Sequence, residues 1–128
     1  MAQLILDTNI VSYFFKGDPR AAAYLPDMAG RTLCISFATL GELYQWPILR
    51  SWGSGKIASL EIFVERYEVI WSDELICRYW AEITTLKGRP VSLPDAWIAA
   101  TAMRQSVPLL SHNRKNFEQI PGLELVTH

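Results

Sequence analysis

Disulfides have no place in this chain. Its 128 residues hold two cysteines, Cys34 and Cys77, and these form neither a C-x-x-C pair nor any other metal-type spacing. Cys34 lies in an apolar strand pattern and Cys77 in a helical one, so both are expected as reduced core residues. Long apolar runs are missing too. Leu4, Ile5 and Leu6, near the amino terminus, make a stretch far too short for a signal peptide or a membrane span. A soluble, cytoplasmic protein with no membrane partner is expected. Nor is there an excess of one charge. Twelve Lys and Arg against thirteen Asp and Glu leave a net charge of −1, so no global basic field recruits nucleic acid, and any such contact must come from a local patch. No internal repeat, low-complexity tract or Gly-, Pro- or Ser-rich linker divides the chain. One domain over residues 1–128 is expected, large enough to bury a core without staples.

What is present is an alternation of short apolar strands with helices. The pattern predicts strands at 3–6, 32–35, 68–71, 108–110 and 123–126. Helices are predicted at 9–16, 20–28, 37–50 (disturbed by Pro47), 56–66, 73–86 with Ser72 as its N-cap, and 95–105 opened by Pro94. The segment from Ser111 to Phe117 reads as a loop. Strands alternating with helices predict a three-layer α/β/α sandwich around a mostly parallel sheet. Ligands of such sheets bind outside the carboxyl ends of the strands.

Three acids stand at that kind of junction. Asp7 follows Leu4-Ile5-Leu6 directly. Glu42 lies about a turn and a half into the helix after the second strand. Asp95 opens a helix that must pack on the sheet. Each has an ordinary explanation. Asp7 can cap its helix, Thr39 and Glu42 have capping-box spacing, and Asp95 suits a helix first turn behind Ser92. Each such role is worth about 1 kcal/mol. None of them predicts that all three would meet at one sheet edge, whereas the topology does. Clustered carboxylates repel unless a cation intervenes, and hard divalent cations prefer oxygen ligands. Metal-dependent phosphate chemistry follows. Helix amino termini favour ionised carboxylates, so Asp7 and Asp95 are expected to have lowered pKa values.

The neighbouring residues carry weaker signals. Asn113 can offer a neutral oxygen to a metal or its water, or can simply serve a turn. Arg114 and Lys115 can contact phosphate, or can be solvated surface. His112 is read as a loop residue. Gly41 suggests a close approach to the backbone beside Glu42. Gly53-Ser54-Gly55-Lys56 lacks the first glycine and the final hydroxyl of a phosphate loop and reads as a helix junction. The five tryptophans are read as core or dimer-interface residues rather than as base-stacking platforms, with Trp52 as the one expected at an interface.

Four segments together carry a family resemblance: Ile5-Leu6-Asp7-Thr8-Asn9, Thr39-Leu40-Gly41-Glu42-Leu43, Asp95-Ala96-Trp97-Ile98-Ala99-Ala100, and Ser111-His112-Asn113-Arg114-Lys115-Asn116-Phe117. In order and spacing the chain resembles PIN-domain proteins, and among them the VapC-like toxins of bacterial toxin–antitoxin modules. The resemblance implies a Mg²⁺- or Mn²⁺-dependent endoribonuclease with Asp7, Glu42 and Asp95 as its metal-holding acids. It also implies Thr8 and Asn9 as supporting residues, Asn113 in the fourth motif, a homodimer, and a small antitoxin as partner. The chain departs from the pattern in carrying Asn113 and Asn116 where many members have acids. Three rival readings stand beside this one. They are a housekeeping RNA-processing nuclease of the same family, a degenerate domain that binds RNA or protein without cutting, and a phosphatase using an Asp after the first strand. The phosphatase needs a second Asp two residues on, where this chain has Asn9.

Overall fold

The computed structural model describes residues 2–128. Its five strands form one sheet in which every pairing is parallel. They are β1 (Gln3–Leu6), β2 (Thr32–Ser36), β3 (Glu68–Ile70), β4 (Leu109–Leu110) and β5 (Leu125–Val126), in the spatial order β3-β2-β1-β4-β5. The helices are α1 (Thr8–Lys16), α2 (Leu25–Met28), α3 (Phe37–Leu49), α4 (Ser54–Val64), α5 (Glu74–Thr84), α6 (Leu93–Gln105) and α7 (Arg114–Phe117).

Side chains alternate across a strand, and β1 shows what that does here. Leu4 and Leu6 point into a core shared with Ile10, Leu43 and Phe63, from α1, α3 and α4. Ile5 points into the opposite core with Ile76, Ile98 and Phe117, from α5, α6 and α7. A sheet buried on both faces has no polar side to alternate, which is why its strands read as unbroken apolar runs. Each fully buried Leu or Ile contributes about 1.5–3 kcal/mol. Helix α6 is buried nearly all round, and its Ala96, Ala99, Ala100 and Ala102 are small enough to let it lie close against the sheet and α5. Beside it Trp80 stacks on Trp97 at 4.8 Å.

Several expectations need correcting. Cys77 is exposed, and only Cys34 is a core thiol. Asp73, not Ser72, caps α5, by accepting from the Ile76 amide, and α5 stops at Thr84. The expected helix over 20–28 divides into a 3₁₀ turn (Pro19–Tyr24) and the short α2, with Pro26 accommodated in the first turn of the latter. Pro47 sits inside α3 without ending it, near enough to the last turn for few carbonyls to be orphaned. Arg114 to Phe117, read as loop, form the single turn of α7. Trp52 is half-buried against Phe15 and Trp46, which leaves part of it free for the interface expected there, and Trp71 is 65% exposed. No helix among the described residues is long and apolar enough to cross a membrane.

The topology determines where a site can form. From the central β1 the chain adds β2 and β3 on one side, then crosses to add β4 and β5 on the other. The two neighbours of β1 thus belong to opposite directions of winding, and the crevice between β1 and β4 opens at their carboxyl ends. Asp7 and Ser111 are the first residues beyond those two ends.

Candidate active site

Asp7 is held from both sides. As the N-cap of α1 it accepts from the Thr8 amide through Oδ1 at 2.7 Å. Its Oδ2 accepts from the Ser111 hydroxyl, also at 2.7 Å. Ser111 Oγ in turn accepts from the Asn113 amide at 3.0 Å, so the turn after β4 is locked onto the acid after β1. Asp7 is only 4% exposed and Ser111 is fully buried.

Glu42 reaches the same crevice from α3. The N-cap of that helix is Ser36, whose hydroxyl accepts from the Ala38 and Thr39 amides, so the capping-box reading of Thr39 and Glu42 is overturned. Glu42 Oε1 accepts instead from the Thr8 hydroxyl at 3.0 Å. Thr8 Oγ1 also lies 3.0 Å from Thr39 Oγ1. A hydroxyl has one proton, and that of Thr8 is committed to Glu42, so Thr39 is the donor in the second contact. The result is a relay from buried Thr39 through Thr8 to Glu42. Among the described residues, nothing outside its own helix turn comes within 4 Å of the position a Cβ would take on Gly41. Gly41 faces an open groove, so the close approach expected at its backbone is not made by this chain's own residues.

Asp95 stands in the first turn of α6, whose N-cap Ser92 accepts from the Asp95 amide at 3.3 Å. Its Oδ2 accepts from Asn116 Nδ2 at 3.1 Å. The asparagine that departs from the family pattern therefore touches the third acid and orients it.

All three acids line one cleft of about 260 Å³, together with Thr8, Asn9, Ser12, Trp46 and Asn113. Asn9 Oδ1 accepts from the His112 amide at 3.4 Å, and its buried Nδ2 has no partner among the described residues. Arg114 and Lys115 are exposed on α7 and do not line the cleft. His112 is structural: its Nδ1 lies 2.6 Å from the Tyr24 hydroxyl, and its ring packs edge-on to Tyr13.

The electrostatics reverse an expectation. Asp7 caps a helix, yet its pKa is pushed up to about 6, chiefly by burial. The Ser111 and Thr8 hydrogen bonds pull it down, while the charges of Asp95 and Glu42 add to the rise. Burial also raises Glu42, against the Thr8 hydrogen bond. Asp95 is raised by burial too, against its bonds to Ser92 and Asn116. Desolvation outweighs the helix end in this crevice. The donor set is all hard oxygen, three carboxylates with two amides and two hydroxyls, and no thiolate or imidazole lines the cleft; that chemistry fits a hard divalent cation such as Mg²⁺ or Mn²⁺. The acids do not converge as they stand, for among the described residues no three His, Cys, Asp or Glu side chains form a ready ligand group. Each is turned toward its own neighbour, Ser111, Thr8 or Asn116.

Ser12, Trp46 and Thr39 are the members of the site that the sequence does not single out, whereas Ser111 lies at the strand end where it is expected. Helical spacing held a signal for two of them, since Ser12 and Trp46 lie four residues after Thr8 and Glu42 and so share their faces.

The PIN domain family model matches residues 4–123. Ribonuclease VapC1 of Haemophilus influenzae (strain R2866) is 33% identical over 94% of this chain and 93% of its own. The tRNA(fMet)-specific endonuclease VapC of Shigella flexneri is 29% identical, covering 96% of each. Among solved structures, that of VapBC2 from Rickettsia felis, bound to a DNA fragment from their promoter, superposes with a TM-score of 0.82 at 30% identity over 97% of each chain. A family model that spans most of the chain, and a relative 33% identical over nearly its full length, show that the chain belongs to the PIN-domain family, within its VapC group.

Proposed function

We propose that this chain is an endoribonuclease that hydrolyses RNA phosphodiester bonds as the toxin of a toxin–antitoxin pair. The observation that carries the reading is the meeting of Asp7, Glu42 and Asp95, from three separate strand–helix junctions, in one cleft of a chain that is similar over 94% of its length to a ribonuclease. In the reaction water adds to phosphorus and the P–O3′ bond breaks, leaving a 5′-phosphate and a 3′-hydroxyl. The 2′-hydroxyl takes no part, so the choice of RNA comes from recognition.

Mg²⁺ or Mn²⁺ is the proposed cofactor; Asp7, Glu42 and Asp95 would hold it, and when bound it supplies a Lewis acid that neutralises phosphate charge and makes water more acidic. The remaining work falls to the chain itself. Ser111 keeps Asp7 in place and favours its ionised form. Thr8 does the same for Glu42, and Asn116 for Asp95. Asn113, exposed at the rim, presents an amide to a phosphate oxygen or to water. An intact, oriented set of acids favours cutting over mere binding, because a binder has no use for mutually repelling carboxylates.

The proposed partner is a small antitoxin, in keeping with the complex seen for the Rickettsia relative. An apolar groove of about 640 Å³ runs beside the cleft between α3 and α6, and Tyr44, Ile48 and Leu93 on its walls are at least half exposed. That surface supports a protein partner, and homodimerisation is proposed on the same grounds of uncovered apolar area.

The test is expression of wild type beside Asp7→Asn in bacteria, with total RNA mapped for new 5′ ends. Wild type alone is expected to stop growth and to yield 5′-phosphate ends at discrete sites. Identical RNA from both strains would overturn the reading.

A further inference from the structure

Helices α1 and α3 leave the cleft side by side, and each sends one row of side chains away from it. On α1 the row is Thr8, Ser12 and Lys16. On α3 it is Glu42, Trp46 and, at the C-cap, Arg50. Residues four apart share a helix face. The rows meet at three levels. Thr8 donates to Glu42, Ser12 and Trp46 both line the cleft, and Lys16 Nζ lies 5.7 Å from the centre of the Trp46 ring, with the Arg50 guanidinium 5.5 Å from it. Over two helical turns, about 12 Å, the track changes from anionic to aromatic to cationic.

We propose that this track binds the nucleotides flanking the scissile phosphate of a single-stranded RNA. Lys16 and Arg50 swing off the Trp46 ring to hold the phosphates beyond it, and the indole face they uncover supplies a stacking surface for a base. The inference rests on the RNA-cleaving reading above and adds the place where the substrate lies.

The charge pattern asks for such a track. A cleft of three carboxylates repels a polyanion, and a net charge of −1 gives the chain no general attraction for one. Binding must therefore come from cations grouped near the acids. The ion pairs among the described residues are Arg20–Asp18, Arg78–Glu74, Arg104–Asp73 and His128–Asp27. Lys16, Arg50 and Lys56 belong to none of them. They lie over aromatic faces instead, which orders the side chains without neutralising them. Lys56 Nζ is 4.1 Å from the Trp52 ring, and Trp52 meets Trp46 edge-on at 6.5 Å, so the cation–aromatic run continues outward. Aromatic platforms interleaved with cations are how proteins hold single strands without reading a fixed sequence. A protein partner fits the other flank of Glu42 better, where the groove is apolar.

The experiment uses the full chain carrying Asp95→Asn, so that RNA is bound and not cut, and a fluorescein-labelled oligouridine of about 12 nucleotides, read by anisotropy across a salt series. Trp46→Leu is expected to weaken binding about tenfold, ~1.4 kcal/mol, while Trp46→Phe, which keeps an aromatic face and guards against a folding artefact, holds affinity within about threefold. Lys16→Gln and Arg50→Gln are each expected to flatten the plot of log affinity against log salt by about 0.7, a change that a purely structural role would not produce. Unchanged affinity and unchanged salt slopes in all of these variants would overturn the track. So would variants that bind RNA normally but lose self-association in sedimentation, since the patch would then be a protein interface. Total RNA cut by the chain with Asp95 intact separates the two levels. Cutting without any effect of the track variants removes only the track, whereas no cutting removes the functional reading and the track with it.

Discussion

Replacing Asp7 with asparagine should destroy activity and make the protein more stable. Asp7 is 4% exposed, and its carboxyl is raised from 3.8 to about 6, mainly by burial, with the charges of Asp95 and Glu42 adding to the rise. Holding that group ionised at neutral pH costs the folded state at most about 3 kcal/mol. Asp7→Asn removes the charge and keeps the shape. The carboxamide oxygen still accepts from the Thr8 amide, while the Ser111 hydroxyl loses its carboxylate acceptor, a loss of about 1 kcal/mol. A net gain of about 1–2 kcal/mol remains, which for a domain of this size raises the melting temperature by about 3–8 °C.

The pH dependence supplies the sign. A carboxyl whose folded pKa lies above its unfolded value binds more protons folded than unfolded, so stability falls as pH rises between the two values. For Asp7 that window runs from 3.8 to about 6. Wild type should lose stability across it relative to the variant, so the variant's advantage should shrink on acidification and reverse to a deficit of about 1 kcal/mol below about pH 4, where only the lost Ser111 acceptor remains. Glu42 and Asp95 are raised as well, but they titrate in both proteins, so the difference between the curves isolates Asp7. The assay is thermal melting of both proteins in EDTA from pH 4 to pH 8. A variant that melts no higher than wild type at neutral pH, or a gap that does not narrow on acidification, would refute the claim that burial outweighs the helix end at this position.

Three further outcomes follow from the same contacts. Adding Mg²⁺ or Mn²⁺ to the EDTA-free proteins should raise the melting temperature of wild type and leave Asp7→Asn nearly unmoved, as linkage requires for an ion bound through that carboxylate; equal shifts in both would remove Asp7 from the proposed ligand set. Thr8→Val strips Glu42 of its donor and leaves the buried Thr39 hydroxyl without an acceptor, so it should cost about 1–3 kcal/mol in a denaturant melt and slow cleavage by at least about tenfold, whereas Thr8→Ser should restore both. Ser111→Ala removes the hydrogen bond that pulls the Asp7 pKa down, so the acid limb of the pH–rate profile should move upward by about one unit, and a profile that moves downward or stays in place would contradict the assigned role.

The architecture was readable because it rests on periodicity. Unbroken apolar triplets such as Leu4-Ile5-Leu6, alternating with helical patterns, can only be strands covered on both faces, and the sheet is parallel throughout. The acids were readable for the same reason, because a crossover topology brings one end of every strand to one edge. What was not readable depends on contacts between residues distant in sequence. Ser111 meets Asp7 across 104 residues and Asn116 meets Asp95 across 21. No local spacing announces either bond. Glu42 shows the opposite failure, in which a local rule matches and is overruled. The Thr39–Glu42 spacing satisfies a capping box, but Ser36 already accepts from the helix's free amides, and Glu42 is left to turn toward Thr8.

The misjudged sign at Asp7 comes from weighing two effects of different reach. A helix end stabilises a carboxylate by about 0.3–1 kcal/mol at an exposed site, and the sequence displays that helix plainly. Desolvation is set by how completely three layers close over the residue, and a fully buried carboxyl can rise by several pKa units. At the rim of a sandwich the first effect wins. At the carboxyl end of the central strand, with β2 and β4 on either side and α1 and α3 above, the second does. Central placement is also what brings Glu42 and Asp95 near enough to repel Asp7. The burial that costs stability and the crowding that calls for a cation are thus one consequence of where β1 lies in the sheet, and a residue chosen for folding alone at position 7 would not be an acid.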